Sequence, residues 1–343
     1  MRIAIVSLSY LPITNSSLGG LEVIVSNLID ELKDKHEITL FGLSDSDLPV
    51  KIEGIVSSAD LREDGLALDN KYFVRRYTTY QALALKKALK QAKDFDVIHV
   101  HLAEWQHAFL YSNNENIVVT AHGNYMNPRL TKMILEENSI PKLTCISKFV
   151  HDNFFPKYNH KYLAYNGINI RKFEFNDNPE DYLVWLGRIT KIKDPKSAIE
   201  VAQKTGKKLI IAGGIDYQDF FDESIKPYLN KQIQYIGPVF GKEKNELLAK
   251  AEALLFTPAW EEPFGLVATE AMACGTPVIA FNKGALPEII DNNETGFIVD
   301  NVQEMAEKIS EVKKIDRKKC RQKIEQNYTS EKMAEKYLEI YKK

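Results

Sequence analysis

The sequence predicts an α/β protein made of two doubly wound, parallel-sheet, Rossmann-like domains. Three observations carry this. Short, nearly uninterrupted apolar runs recur along the chain, as expected of strands buried on both faces. Helical stretches separate most of them, and strand–helix–strand repetition builds parallel sheets. A polar stretch, NGINIRKFEFNDNPEDY at 166–182, divides the 343 residues into halves of similar size, the two domains a chain of this length accommodates.

The first half places strands at 3–8, 38–41, 97–100, 117–120 and 143–146, with helices at 21–32 and 80–92 among them. The second half places strands at 182–186, 208–212, 233–236, 253–256, 277–280 and 296–299, with helices at 195–204 and 242–250. The charged tail, 302–343, reads as two or three amphipathic helices, with Thr329 or Ser330 capping the last. The expected domains are 1–165 and 166–325, with a last helix at 326–343. Ligands of doubly wound sheets bind beyond the carboxyl ends of the strands, so two such domains predict a cleft between them lined by residues that follow strands.

Composition narrows the function. Apolar residues make up 44% and charged residues 27%, a globular balance, and the formal net charge of −2 gives no field that would draw nucleic acid. The cysteines, Cys145, Cys274 and Cys320, are odd in number and far apart. They form neither a disulfide framework nor a zinc ribbon, which suits a reducing cytoplasm. No run reaches the roughly 18 apolar residues of a membrane span. Lysine-rich runs at 86–93 and 312–323 read first as solvated helix faces, and peripheral contact with the inner membrane face stays open. Oligomeric state is not legible.

The strongest signal is FTPAWEEPFGLVATEAMACGTPVIAF at 256–281. A strand ends near Phe256, a loop carries Trp260, Glu261 and Glu262, and a helix runs from about Gly265 to Cys274. The free amides of Gly265, Leu266 and Val267, with the positive end of the helix dipole, make an anion site. Gly265 lets a phosphate approach the backbone. Glu262 and Glu270, eight apart, both face a ligand across that helix end. This segment resembles the glutamate-x7-glutamate motif of glycosyltransferase family four, a retaining family of the GT-B fold. The resemblance implies that Glu262 holds donor-sugar hydroxyls and Glu270 the nucleotide ribose.

Other segments fit. WLGRITKIKDP at 185–195 sets Arg188 and Lys193 at a strand end, where fixed cations stabilise the charge that develops on a departing diphosphate. It resembles the family's G-R-x4-K pattern, with Asp194 where a glycine is common. SSLGG at 16–20 opens a helix, and the resemblance implies that Gly19 and Gly20 touch the donor phosphate and the acceptor. His122, after a strand, resembles the family's histidine near the donor sugar. His101 is an acceptor-side candidate or a packed structural residue. Backbone groups around Val239 are candidates for the nucleobase, and YNGIN at 165–169 resembles the interdomain turn.

The His99–His101 pair on one strand face, joined by His107 and His122, is also a candidate metal cluster, though Glu104 is its lone carboxylate. There is no GxGxxG after the first strand, no Walker loop and no GxSxG elbow. Asp45-Ser46-Asp47 spells a DxD without its context. The expectation is a metal-independent retaining glycosyltransferase with no cofactor, moving a sugar from a nucleotide-sugar donor, UDP- or GDP-linked, to a glycan, lipid-linked or small-molecule acceptor. Two alternatives are a GT-B sugar-nucleotide epimerase or hydrolase and a non-catalytic nucleotide-sugar-binding protein.

Overall fold

The structure is a computed structural model that describes residues 1–15, 19–63, 71–111, 114–123, 128–137, 140–156 and 158–343. The chain divides into two compact units, Met1–Gly167 with Ser330–Lys343, and Ile168–Thr329. The boundaries lie at Gly167/Ile168 and Thr329/Ser330, a few residues beyond those read from sequence. Hydrogen bonds explain the shift: the Gly167 amide donates to Met333 Sδ in the first unit, while the Ile168 amide donates to the Tyr328 carbonyl in the second.

The first unit runs β1 (Arg2–Val6), α1 (Gly20–Leu32), β2 (Glu37–Leu43), β3 (Lys51–Val56), α2 (Ser58–Glu63), α3 (Lys71–Lys90), β4 (Val97–Val100), α4 (Gln106–Tyr111), β5 (Ile117–Ala121), α5 (Pro128–Glu137), β6 (Lys142–Cys145), α6 (Lys148–Asn153) and β7 (Lys161–Leu163). Its seven strands are parallel in the order β3-β2-β1-β4-β5-β6-β7. The order reverses between β1 and β4, so the loops leaving those strands diverge and open a crevice at their carboxyl ends. Strands β3 and β7 are absent from the sequence reading. Both lie at sheet edges and are only half-buried, so neither shows the continuous apolar run of an inner strand.

The second unit runs β8 (Leu183–Leu186), α7 (Pro195–Thr205), β9 (Leu209–Ala212), α8 (Gln218–Ser224), β10 (Ile233–Tyr235), α9 (Gly241–Lys250), β11 (Ala253–Phe256), α10 (Leu266–Ala273), β12 (Val278–Phe281), α11 (Leu286–Ile289), β13 (Gly296–Val299), α12 (Val302–Ile309) and α13 (Arg317–Asn327). Its six parallel strands follow the order β10-β9-β8-β11-β12-β13, reversing between β8 and β11. The final helix, α14 (Ser330–Tyr341), belongs to the first unit and packs on α1.

The basic run at 312–323 is only partly a solvated face. Arg317 is buried and donates to the carbonyls of Asn176, Ala249 and Ala251, and Arg321 donates to those of Phe173 and Ala273. Both arginines are structural ties rather than free surface cations. No helix among the described residues is long and apolar enough to cross a membrane.

Candidate active site

In the second unit Arg188 and Lys193 lie on the loop after β8, and Glu262 and Gly265 on the loop after β11, the two loops that flank the sheet's switch point, while Glu270 lies within α10 and Val239 follows β10. The two loops are laced together. Thr257, just past β11, accepts from Trp185 Nε1 of β8 at 3.0 Å and donates to the Asp194 carbonyl at 2.7 Å. The Ala259 amide donates to the Ile192 carbonyl at 2.9 Å. Lys193 is thereby carried to Glu262, where its Nζ donates to Oε2 at 2.6 Å. The same oxygen accepts from Trp260 Nε1 at 3.1 Å, and the Lys193 ammonium stands 5.0 Å from the Trp260 ring centroid. This pair is largely buried, at 19% and 9% side-chain exposure, so its charge-assisted bond is stronger than a surface ion pair.

Asp194 occupies a left-handed conformation (φ 48°). This is the conformation a glycine adopts freely, and Asp tolerates it better than most residues. Its carboxylate also caps α7, accepting from the Ser197 amide at 3.2 Å. The departure from the family pattern therefore leaves the Lys193 turn intact.

Glycines fix the remaining geometry. At Gly213 (φ 143°) a Cβ would fall 1.7 Å from the Gly187 carbonyl oxygen, so β9 can approach the turn that carries Arg188. At Gly284 (φ 59°) a Cβ would fall 2.1 Å from the Glu262 carbonyl oxygen. The neighbouring Ala285 amide donates to that same oxygen at 2.8 Å. Gly284 thus braces the Glu262 backbone.

The sequence assigned Gly265 to close approach by a ligand phosphate, and the structure adds a packing reason. Gly265 precedes α10 at φ 102°, and a Cβ there would lie 2.8 Å from Leu286 and 3.1 Å from Phe256. The amides that open α10, including Leu266 and Val267, have no carbonyl one turn back and stay available to an anion.

Glu270, inside α10, is buried and pairs with Lys244 of α9 at 2.7 Å. Lys244 is not among the residues singled out from the sequence, and its helix neighbours Lys242 and Glu246 face away from Glu270. Those two are the exposed pair. Arg188 is 64% exposed and pairs with Asp216 at 2.7 Å. Val239 buries its side chain, so a contact there falls to its backbone.

In the first unit Gly19 and Gly20 begin α1, while residues 16–18 of the glycine-rich segment lie outside the described residues. A Cβ on Gly19 would fall 2.0 Å from Glu22 Oε2. Glu22 is buried, and burial raises its carboxyl pKa. This carboxyl beside Gly19 was not anticipated.

His101 is fully buried and bonds through Nδ1 to Nε2 of half-buried His122 at 2.9 Å. Burial lowers the His122 pKa to about 4, leaving a neutral imidazole at neutral pH. The imidazole nitrogens of His99, His101 and His122 bond to one another. Among the described residues no group of three or more metal-ligating side chains forms. Asp45 and Ser46 also have local tasks: Asp45 accepts from the Ser58 amide, and the Ser46 hydroxyl accepts from the Ile13 amide.

Two α/β units, each built on a doubly wound parallel sheet, define the GT-B class. Residues 18–172 match the family model described as Glycosyltransferase Family 4, and residues 168–330 match Glycosyl transferases group 1. The chain is 25% identical over 373 residues to N-acetyl-alpha-D-glucosaminyl L-malate synthase of Bacillus anthracis, covering 95% of this chain and 94% of that one. Among solved structures it is similar to AviGT4, a glycosyltransferase involved in avilamycin A biosynthesis (TM-score 0.73, 20% identity, 99% of this chain and 97% of that one). It is also similar to Anabaena HepE in complex with UDP-glucose (TM-score 0.74, 16% identity, 99% and 98%). The chain belongs to the family-four glycosyltransferases and is a glycosyl-transferring enzyme. An epimerase or hydrolase is not favoured.

Proposed function

We propose that the protein moves a sugar from a nucleoside diphosphate sugar to an acceptor hydroxyl with retention of anomeric configuration and without a metal. The observation that carries this reading is the charge arrangement after β8 and β11: Lys193 on Glu262, Arg188 beside the same switch point, and Glu270 in α10. A diphosphate offers the negative charge that Arg188, Lys193 and the amino end of α10 would receive. When Lys193 turns to phosphate, Glu262 is released to accept from sugar hydroxyls. Glu270 would accept from the ribose. As the sugar–phosphate bond breaks, charge grows on the leaving oxygen, and the fixed cations stabilise it. That oxygen takes the acceptor proton, so attack comes from the face of departure and configuration is kept. Neutral His122 serves as a hydrogen-bonding neighbour of the sugar.

UDP- or GDP-sugars are the expected donors, and the likeness to HepE with UDP-glucose favours UDP. Glycan, lipid-linked and small-molecule acceptors fit, in glycan or cell-envelope polysaccharide synthesis. The three cysteines are unpaired and buried, which suits a cytoplasmic setting. The test is transfer from α-linked UDP- and GDP-sugars to a panel of acceptors, with the product's anomeric configuration read by NMR. An α-linked product formed equally well in EDTA is expected. A β-linked product, or loss of transfer in EDTA, overturns the reading.

A further inference from the structure

His99 and His101 stand two residues apart at the end of β4 and so share a face. A continuous line of hydrogen bonds runs through them. His122 Nε2 meets His101 Nδ1 at 2.9 Å, and His101 Nε2 meets His99 Nδ1 at 3.2 Å. His99 Nδ1 also meets the Tyr341 hydroxyl at 2.7 Å, and His99 Nε2 meets Thr120 Oγ1 at 2.8 Å. Thr120 Oγ1 meets the Tyr337 hydroxyl at 2.9 Å. Both tyrosines lie on α14, and every member except His122 is buried. Burial lowers the pKa of all three histidines, so each ring is neutral, with one N–H and one lone pair. Among the described residues no protein group bonds Nδ1 of His122, and that nitrogen is not sealed in the interior.

Only two proton arrangements satisfy the chain. In the first, Tyr341 and His101 both donate to His99 Nδ1, His99 Nε2 donates to Thr120, and His122 Nε2 donates to His101. His122 then offers a bare Nδ1 that accepts. In the second, Thr120 donates to His99 Nε2, His99 Nδ1–H points at Tyr341 and His101, and His101 donates to His122. His122 then carries its proton on Nδ1 and offers a donor.

The first arrangement leaves one hydroxyl proton of the Thr120–Tyr337 pair without an acceptor in the network. The second leaves that of Tyr341. Each leaves one buried donor unused, so they are closely matched: the Tyr341 proton weighs against the second as the Thr120–Tyr337 proton weighs against the first.

We propose that His101, His99 and Thr120 form a two-state relay through which Tyr341 of α14 sets whether His122 presents an acceptor or a donor. Tyr341, some distance along the chain of bonds from any ligand, is thus a positioning residue. The consequence for transfer rests on His122 being a sugar neighbour, while the relay itself does not.

The experiment is ¹⁵N–¹H long-range NMR of the histidine rings in the full-length protein, with His122 assigned from a His122→Asn sample. Tyr341→Phe removes the opposing proton and should move His122 toward the Nδ1–H form. 3-Fluorotyrosine at position 341, a stronger donor of nearly the same shape, should move the same signals the other way and also guards against misfolding of the phenylalanine variant. Opposite shifts support the relay. Unchanged His122 nitrogen shifts in both proteins, alongside altered His99 shifts, overturn it. In kinetics, Tyr341→Phe should change kcat roughly 2- to 10-fold, the scale of one hydrogen bond. Tautomer shifts with unchanged kcat would uphold the relay and count against His122's part in transfer.

Discussion

Glu262 gathers three contacts on one side chain and its backbone: the Lys193 ammonium, the Trp260 indole and the Ala285 amide. The Trp260 and Ala285 contacts do not depend on Lys193, so they keep Glu262 in place when Lys193 turns to phosphate, which lowers the cost of ordering it on binding. Glu262→Gln keeps an acceptor for Trp260 and removes the charge. Transfer should fall roughly 100- to 1,000-fold, the scale of losing one preorganised electrostatic contact, while circular dichroism stays native. Wild-type turnover by this variant would remove Glu262 from the chemistry. The sequence made Glu262, Glu270, Arg188 and Lys193 legible because each sits in a short local pattern after a strand. It could not show Lys244 against Glu270 or Asp216 against Arg188. Those partners lie 26 and 28 residues away in sequence, and only the packing of α9 and the loop after β9 brings them close.

At the scale of elements, the turns aim the site. Gly284 and Gly206 both have positive φ, at 59° and 69°, yet their surroundings differ. A Cβ on Gly206, at the end of α7, meets nothing within 4 Å, whereas one on Gly284 collides with the Glu262 backbone. Gly206→Ala should cost about 1 kcal/mol in stability and spare activity. Gly284→Ala should displace Glu262 and depress kcat well beyond any stability loss. Urea unfolding beside steady-state kinetics separates the two, and equal effects on activity would show that Gly284 does not brace the site. Inner strands were readable because they are buried on both faces. The half-buried edge strands β3 and β7 were not, since sheet pairing rather than composition makes them strands.

Across the whole molecule, titration is lopsided. The seven histidines, at 36, 99, 101, 107, 122, 151 and 160, all lie in the first unit. For His122 the folded pKa of about 4 lies below the ordinary 6.5. The unfolded chain therefore binds more protons between those values. Its contribution is complete above pH 6.5 and is lost as pH falls toward 4, reaching at most about 2 kcal/mol by pH 5. His99 and His101 shift in the same direction. Hydrogen exchange at pH 7.5 and 5.5 should show protection falling in β4 and β5 before the second unit's strands. Earlier loss in the second unit would contradict this.

In the proposed reaction the second unit grips a nucleoside diphosphate. Calorimetric titration of UDP, GDP and their sugars into wild type, Arg188→Ala and Glu270→Ala tests this directly. One nucleotide class should bind the wild type and lose roughly tenfold or more in affinity in each variant, about 1.4 kcal/mol or greater. No heat with any of these nucleotides, or equal affinity in all three proteins, would contradict it.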